Sequence, residues 1–370
     1  MDATTDDRDL TDRLKAEADR LGLDFCGVAP AVAPPGYPSF LEWLARGADG
    51  GLDYLHRTAD LRAHPDRLLD GVRSVVMAGF VYAHGSGPEP DPDDPARGKV
   101  ARYARGDDYH EVLWRRLEAL LAWLQAERPG TAGRAVADSA PLLERDFARL
   151  AGLGWIGKNT MLIGPRTGSY TLLGALLIDA DLRPDRPFTA DHCGTCTRCL
   201  DACPTDAFDG PYRLDAGKCI SNWTIEHRGP LPPESAAQLH GWAFGCDICQ
   251  EVCPWNHKAP APREPALLPR PERTAPDLIA WLEADPAEFA RSLKGTALAR
   301  AKRQGLVRNA ALILGKRRVT AAAPALRHLL TTDPDPVIRD AAAWALDRIE
   351  GDTKAIEATR SAHPPKCWPI

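Results

Sequence analysis

Eight cysteines between Cys193 and Cys253 constrain this chain more than any other feature. The run opens Cys193, Cys196, Cys199, Cys203-Pro204, a C-x2-C-x2-C-x3-C-P spacing. In that pattern three thiolates hold one iron–sulfur cube, and the cysteine before proline reaches the other cube of a two-cluster protein. The partners follow as Cys219 alone, then Cys246, Cys249 and Cys253-Pro254. Crossing the fourth cysteines gives two complete sets: Cys193, Cys196, Cys199 with Cys253, and Cys203 with Cys219, Cys246, Cys249. Disulfides are rare in a reducing cytosol, and structural zinc usually takes four cysteines as two pairs. The expectation is therefore two [4Fe-4S] clusters. Cys26, in an apolar run, and Cys367, in a Pro-rich tail, are bystanders.

At 370 residues the chain has room for two or three domains. Its net charge of −5 says little about partners, because a local patch can oppose the global sign. Residues 1–20 are charged and helical in pattern, without an apolar h-region or twin arginine. No stretch approaches the ~18 apolar residues of a membrane span. A soluble, cytoplasmic monomer with no membrane partner is expected.

Apolar spacing predicts a helix over 10–21, a short strand over 25–29 and a buried strand over 74–82. Pro, Gly and Asp make 84–98 an exposed loop. An amphipathic helix over 109–126, a short strand over 134–137, a helix over 142–150, a glycine-rich turn over 152–159 and a buried strand over 169–178 follow. Strands alternating with helices predict an α/β or α+β fold. Beyond a proline-rich linker over 260–276 the chain turns Ala/Leu-rich and helical. There Arg308-Asn-Ala-Ala311 is echoed 31 residues later by Arg339-Asp-Ala-Ala342, a HEAT-like repeat signal.

Between Arg291 and Arg318 lie nine Lys or Arg and no Asp or Glu. Solvated faces normally mix signs, so an unmixed stretch predicts a phosphate-contacting surface. Its candidate contacts are Arg300, Lys302, Arg303, Arg308, Lys316, Arg317 and Arg318, and structured RNA is bound largely through shape and backbone. Asp138 follows a short apolar strand, and strand ends facing a crevice are where α/β sites form. A carboxylic acid there can be held protonated by burial and then donate its proton. The same stretch, Asp138 to Pro141, reads equally as a helix N-cap. Lys158, in the glycine-rich turn, is either an anion contact or a surface charge.

Over nearly its whole length the sequence resembles the epoxyqueuosine reductases. The resemblance is carried by Gly51-Leu-Asp-Tyr-Leu-His-Arg57, Arg102-Tyr103-Ala-Arg-Gly-Asp-Asp-Tyr-His110, Asp138-Ser-Ala-Pro-Leu-Leu-Glu144-Arg145 and Gly152-Leu-Gly-Trp-Ile-Gly-Lys158. It continues through the cysteine run, Cys219-Ile-Ser221-Asn-Trp-Thr-Ile-Glu226 and Gly245-Cys-Asp-Ile-Cys-Gln-Glu-Val-Cys-Pro-Trp-Asn256. The resemblance implies reduction of epoxyqueuosine to queuosine at the wobble position of tRNA. The means is a cobalamin fed from two [4Fe-4S] clusters, as in the reductive dehalogenases, with an electron donor such as a flavodoxin or ferredoxin. It implies an α/β (α+β) cobalamin-binding domain over residues 1–185, an inserted ferredoxin-like two-cluster domain over 186–262, and a C-terminal α-helical HEAT-like domain over 263–370 that grips tRNA.

By position, the resemblance makes Asp138 the proton donor. Arg57, Asp138, Leu162, Leu173, Ser221, Cys246 and Asp247 become cobalamin contacts, and the Cys203, Cys219, Cys246, Cys249 cluster stands nearer the corrin. Asp108-Tyr109-His110 lacks the Gly that would complete a D-x-H-x-x-G signature, so His110 is not expected to ligate cobalt. The rival readings are a cobalamin-dependent reductive dehalogenase, a two-cluster electron-transfer protein with a tRNA-binding tail, and a tRNA-binding adaptor with vestigial clusters.

Overall fold

A computed structural model describes residues 3–83 and 94–351, with residues 3–8 by backbone alone. Cys367 and most of the loop expected over 84–98 lie outside the described residues. The chain packs as two compact units. The first comprises Met1–Gly85, Gly106–Gly217 and Asp247–Leu268; the second comprises Ser86–Arg105, Lys218–Cys246 and Pro269–Ile370.

The first unit is built on four strands, β1 (Phe25–Pro30), β2 (Ser74–Val81), β3 (Gly133–Val136) and β4 (Thr171–Ile178). They pair in the order β1-β2-β4-β3, and every neighbouring pair is antiparallel. The unit is therefore α+β. Sequence could not make that choice, because a strand covered on both faces reads as a continuous apolar run whichever way it pairs. All eight residues of β2 are buried.

Helices α1 (Ala3–Arg20), α2 (Tyr109–Glu127) and α3 (Glu144–Leu150) supply the cover. On α1, Leu10, Leu14 and Ala18 are buried as their spacing expects. Gly174 of β4 lets α2 close onto the sheet: a Cβ there would stand 2.8 Å from Leu117 Cδ1. Alternation sends Val75, Met77, Val136, Ala175 and Leu177 to one cluster with Phe147 and Ala148 of α3. Burying a side chain of this kind contributes about 1.5–3 kcal/mol, so this face holds α3, and the residues just before it, in place.

The glycine-rich turn opens a small hairpin in which Trp155–Ile156 pairs antiparallel with Leu162–Ile163. Two-residue strands are too short for alternation to register in a sequence. Asn256 fastens the end of the cysteine-rich stretch near the start of β4. Its Nδ2 donates to Ser169 Oγ (2.9 Å) and Gln250 O (2.7 Å), and its Oδ1 accepts from Ser169 N (2.6 Å).

The second unit contains α4 (Lys302–Lys316), α5 (Ala323–Thr332) and α6 (Pro336–Glu350). Asp335 caps α6 through Val337 N, with Pro336 in the first turn and Gly351 left-handed at its end. Helices α4 and α6 meet backbone to backbone at Gly315, where a Cβ would stand 2.5 Å from Ala345 Cα. The echoed arginines are scaffold. Arg308 is 1% exposed and donates to the carbonyls of Trp223, His227 and Gly229 and to Asn309 Oδ1. Arg339 donates to Asp333 O. Among the described residues, no helix is long and apolar enough to cross a membrane.

Candidate active site

Beyond β3 the backbone turns sharply at Asp138. Its φ is +53°, and Ser139 N donates to Ala137 O at 2.5 Å, closing the strained γ-turn whose central φ is positive. Three neighbours fix the residue. Tyr109 Oη donates to Asp138 Oδ2 at 2.7 Å, and His110 Nε2 lies 3.2 Å from the same oxygen. Glu144 Oε1 accepts the Asp138 N–H at 2.8 Å. The N-cap residue of α3 is Leu143, with no side-chain cap bond, so the N-cap reading of Asp138 to Pro141 does not hold. Tyr109 and His110 reach the site because they occupy the first turn of α2, 29 and 28 residues from Asp138 in sequence. Asp108 caps that turn through His110 N and also holds His110 Nδ1 at 2.7 Å.

The charges follow from these contacts. Burial alone would lower the His110 pKa, but the carboxylates of Asp108 and Asp138 at its two nitrogens outweigh burial and raise it to about 9. Burial would raise that of Asp138, yet the hydrogen bonds from His110 and Tyr109 hold it below the usual carboxylate value. Glu144 is pushed up to about 8, first by burial and then by the charge of Asp138. At neutral pH the imidazole and Glu144 carry protons and Asp138 is ionised. The expectation that burial keeps Asp138 protonated is thus corrected: its partners win over desolvation. The Asp138 side chain is 60% exposed, so it faces open space from within a crowded setting.

Val136 and Ala140, which flank Asp138, share the apolar cluster of α3 with buried Leu162 and partly buried Leu173. Leu173, only partly buried at the edge of that cluster, offers apolar surface of the kind the face of a corrin ring packs against. Both ring nitrogens of His110 are engaged, Nδ1 by Asp108 and Nε2 by Asp138. Arg57 is exposed at the end of the helix Asp53–Arg57, and Asp247 is buried; both are in the first unit. Ser221 and Cys246 are half-buried in the second.

None of the described cysteines is in a disulfide. Cys193, Cys196, Cys199 and Cys253 line one cavity in the first unit, together with Lys158 and Trp255. Among the described residues, no three His, Cys, Asp or Glu converge to grip a single ion. Lys158 Nζ donates to Gly194 O (2.6 Å) and Cys196 O (2.9 Å), bracing the first cysteine loop. Trp155 Nε1 points at Cys193 Sγ, 3.5 Å away. Of the second set, Cys203 and Cys249 belong to the first unit and Cys219 and Cys246 to the second. Burial pushes the Cys26 thiol up to about 12, which leaves it inert.

The basic stretch meets its acids from elsewhere in the second unit. Arg303 pairs with Asp333 at 2.5 Å, and Arg300 makes a two-point contact with Glu226 at 2.8 and 2.9 Å. Arg317 donates to the carbonyls of Pro95 and Arg97. Arg308 offers no surface charge, so its expected role as a phosphate contact is corrected. Lys302, Lys316 and Arg318 are exposed.

Three family models match the chain. They are "4Fe-4S double cluster binding domain" over residues 192–256, "Epoxyqueuosine reductase QueG, DUF1730" over 62–139, and "HEAT repeats" over 296–361. An epoxyqueuosine reductase of Xanthomonas campestris pv. campestris is 39% identical over 353 residues, covering 93% of this chain and 97% of its own. One from Pseudomonas aeruginosa is 37% identical over 350 residues, covering 93% and 95%. A crystal structure of an epoxyqueuosine reductase with an epoxyqueuosine-modified tRNA-Tyr stem loop superposes with a TM-score of 0.89 at 31% identity, over 97% of this chain and 95% of that one. The Bacillus subtilis enzyme, solved with its catalytic aspartate loop swung out of the active site, superposes at 0.87 and 30% identity, over 96% and 93%.

Proposed function

The chain belongs to the epoxyqueuosine reductase family of oxidoreductases, and on that premise we propose that it reduces epoxyqueuosine at the wobble position of tRNA to queuosine. The reaction consumes two electrons and two protons, forms a carbon–carbon double bond, and releases the epoxide oxygen as water. The Cys193, Cys196, Cys199, Cys253 cluster and the Cys203, Cys219, Cys246, Cys249 cluster relay single electrons from a soluble donor such as a flavodoxin or ferredoxin. Cobalamin, when bound, supplies the reduced metal centre that carries those electrons to the substrate. Arg57, Asp138, Leu162, Leu173, Ser221, Cys246 and Asp247 would hold it.

Asp138 delivers one of the two protons, and the second comes from solvent. Its Oδ2 receives hydrogen bonds from Tyr109 and protonated His110. A proton passes from His110 Nε2 to Asp138 Oδ2 and from there to the departing oxygen. Positioned proton transfer of this kind contributes roughly 10²–10⁴ in rate. Glu144 holds the strained turn that aims the carboxylate. The exposed cations Lys302, Lys316 and Arg318, with Arg300 beside Glu226, contact the phosphates of the tRNA anticodon stem-loop.

The observation that carries this reading is the Tyr109–His110–Asp138–Glu144 constellation beside an apolar face. The test is nucleoside analysis of tRNA. A strain lacking the gene should accumulate epoxyqueuosine and lose queuosine, and purified protein with cobalamin and reductant should restore queuosine. Normal queuosine in the deletion strain would refute the reading. Protein that binds this tRNA but never turns it over would favour an adaptor.

A further inference from the structure

Trp155 is 2% exposed, and its indole N–H is aimed at Cys193 Sγ, 3.5 Å away. A buried donor needs an acceptor, and this one has the Cys193 sulfur. Phe188, His192 and Trp255 stand around the same indole, at ring-centre distances of 5.6, 5.0 and 4.9 Å. Cys253 and Cys193 pack against this aromatic wall. Lys158 lines the same cavity, its ammonium fixed on two carbonyls of the cysteine loop. It is half-buried, so its charge is screened less than that of a surface lysine.

One-electron reduction adds a negative charge to a thiolate-bound cluster. An apolar wall opposes that charge; a hydrogen bond to a ligating sulfur and a fixed cation favour it. We propose that Trp155 and Lys158 set the reduction potential of the cluster held by Cys193, Cys196, Cys199 and Cys253, raising it against the effect of its apolar wall. The inference rests on the ligand set proposed above. Neither residue touches substrate; both act through the cluster.

The experiment uses the full chain, reconstituted anaerobically with iron and sulfide and titrated with reductant under electron paramagnetic resonance. Cys193→Ala identifies the signal of this cluster as the one that disappears, with about half of the iron. If Cys193→Ala keeps all its iron, the ligand set is wrong, whatever the potentials do. In Trp155→Phe, which keeps an aromatic ring, and in Lys158→Met, which keeps the stem, that signal should move to lower potential. Each shift should be at least tenfold in the reduction equilibrium, or 59 mV for one electron. The other cluster should stay where it was. Unmoved potentials in both variants overturn the proposal. If Trp155→Phe loses its cluster, Lys158→Met decides alone: a lowered potential sustains the proposal and an unchanged one overturns it.

Discussion

Glu144 accepts the backbone N–H of Asp138 at 2.8 Å although its own carboxyl is raised to about 8. The bond pins a residue whose positive φ costs roughly 1–3 kcal/mol. Glu144→Ala should therefore relax the turn. We expect single-turnover reduction of bound tRNA to fall about tenfold with iron content unchanged, and Glu144→Gln to recover most of it, since an amide oxygen can accept the same bond.

Asp138→Asn should keep the clusters and the tRNA affinity and lose roughly 10²–10⁴ in single-turnover rate. An unchanged rate would reduce Asp138 to a structural turn.

The pH dependence has a definite sign. His110 has a folded pKa of about 9, above its ordinary value, so its stabilising contribution is complete below about 6.5 and is lost as pH rises through about 9. Glu144, raised to about 8, also binds its proton more tightly in the folded state, so its ionisation weakens the fold as pH rises. Asp138 and Asp108 run the other way, losing their contribution as pH falls below the ordinary carboxylate range. Thermal denaturation should show stability declining from about pH 4.5, where Glu144 ionises in the unfolded chain, to about 9. His110→Gln should flatten the His110 part of that decline and remove the high-pH limb of the rate profile.

Arg308 and Arg318 should separate stability from binding. Arg308→Ala removes a buried cation that satisfies three carbonyls and should cost about 2–4 kcal/mol. Lys316→Glu with Arg318→Glu should leave the melting temperature within a degree or two, weaken tRNA binding, and flatten its salt dependence. Equal salt slopes in variant and parent would rule out phosphate contacts there.

The features legible in the sequence were local ones. The spacing Cys193, Cys196, Cys199 is close enough along the chain to encode a ligand loop, and the structure lines one cavity with those three and Cys253. Strand positions were visible because continuous apolar runs mark burial. Their antiparallel pairing was not, because pairing depends on how distant segments meet. The partners of Asp138 were hidden for the same reason: Tyr109 and His110 arrive on α2 only once that helix packs on the sheet. Arg308 misled because counting cations cannot tell a guanidinium facing water from one enclosed by carbonyls. One signal could have corrected it: Arg308 and Arg339 recur in register with Ala-Ala, and a repeat of that kind marks packing more often than contact.

Gly315 leaves no slack between its helix and the one that carries Ala345. A side chain at position 315 would run into Ala345, so it would force the two helices apart and displace the neighbouring Lys316 without altering a single charge.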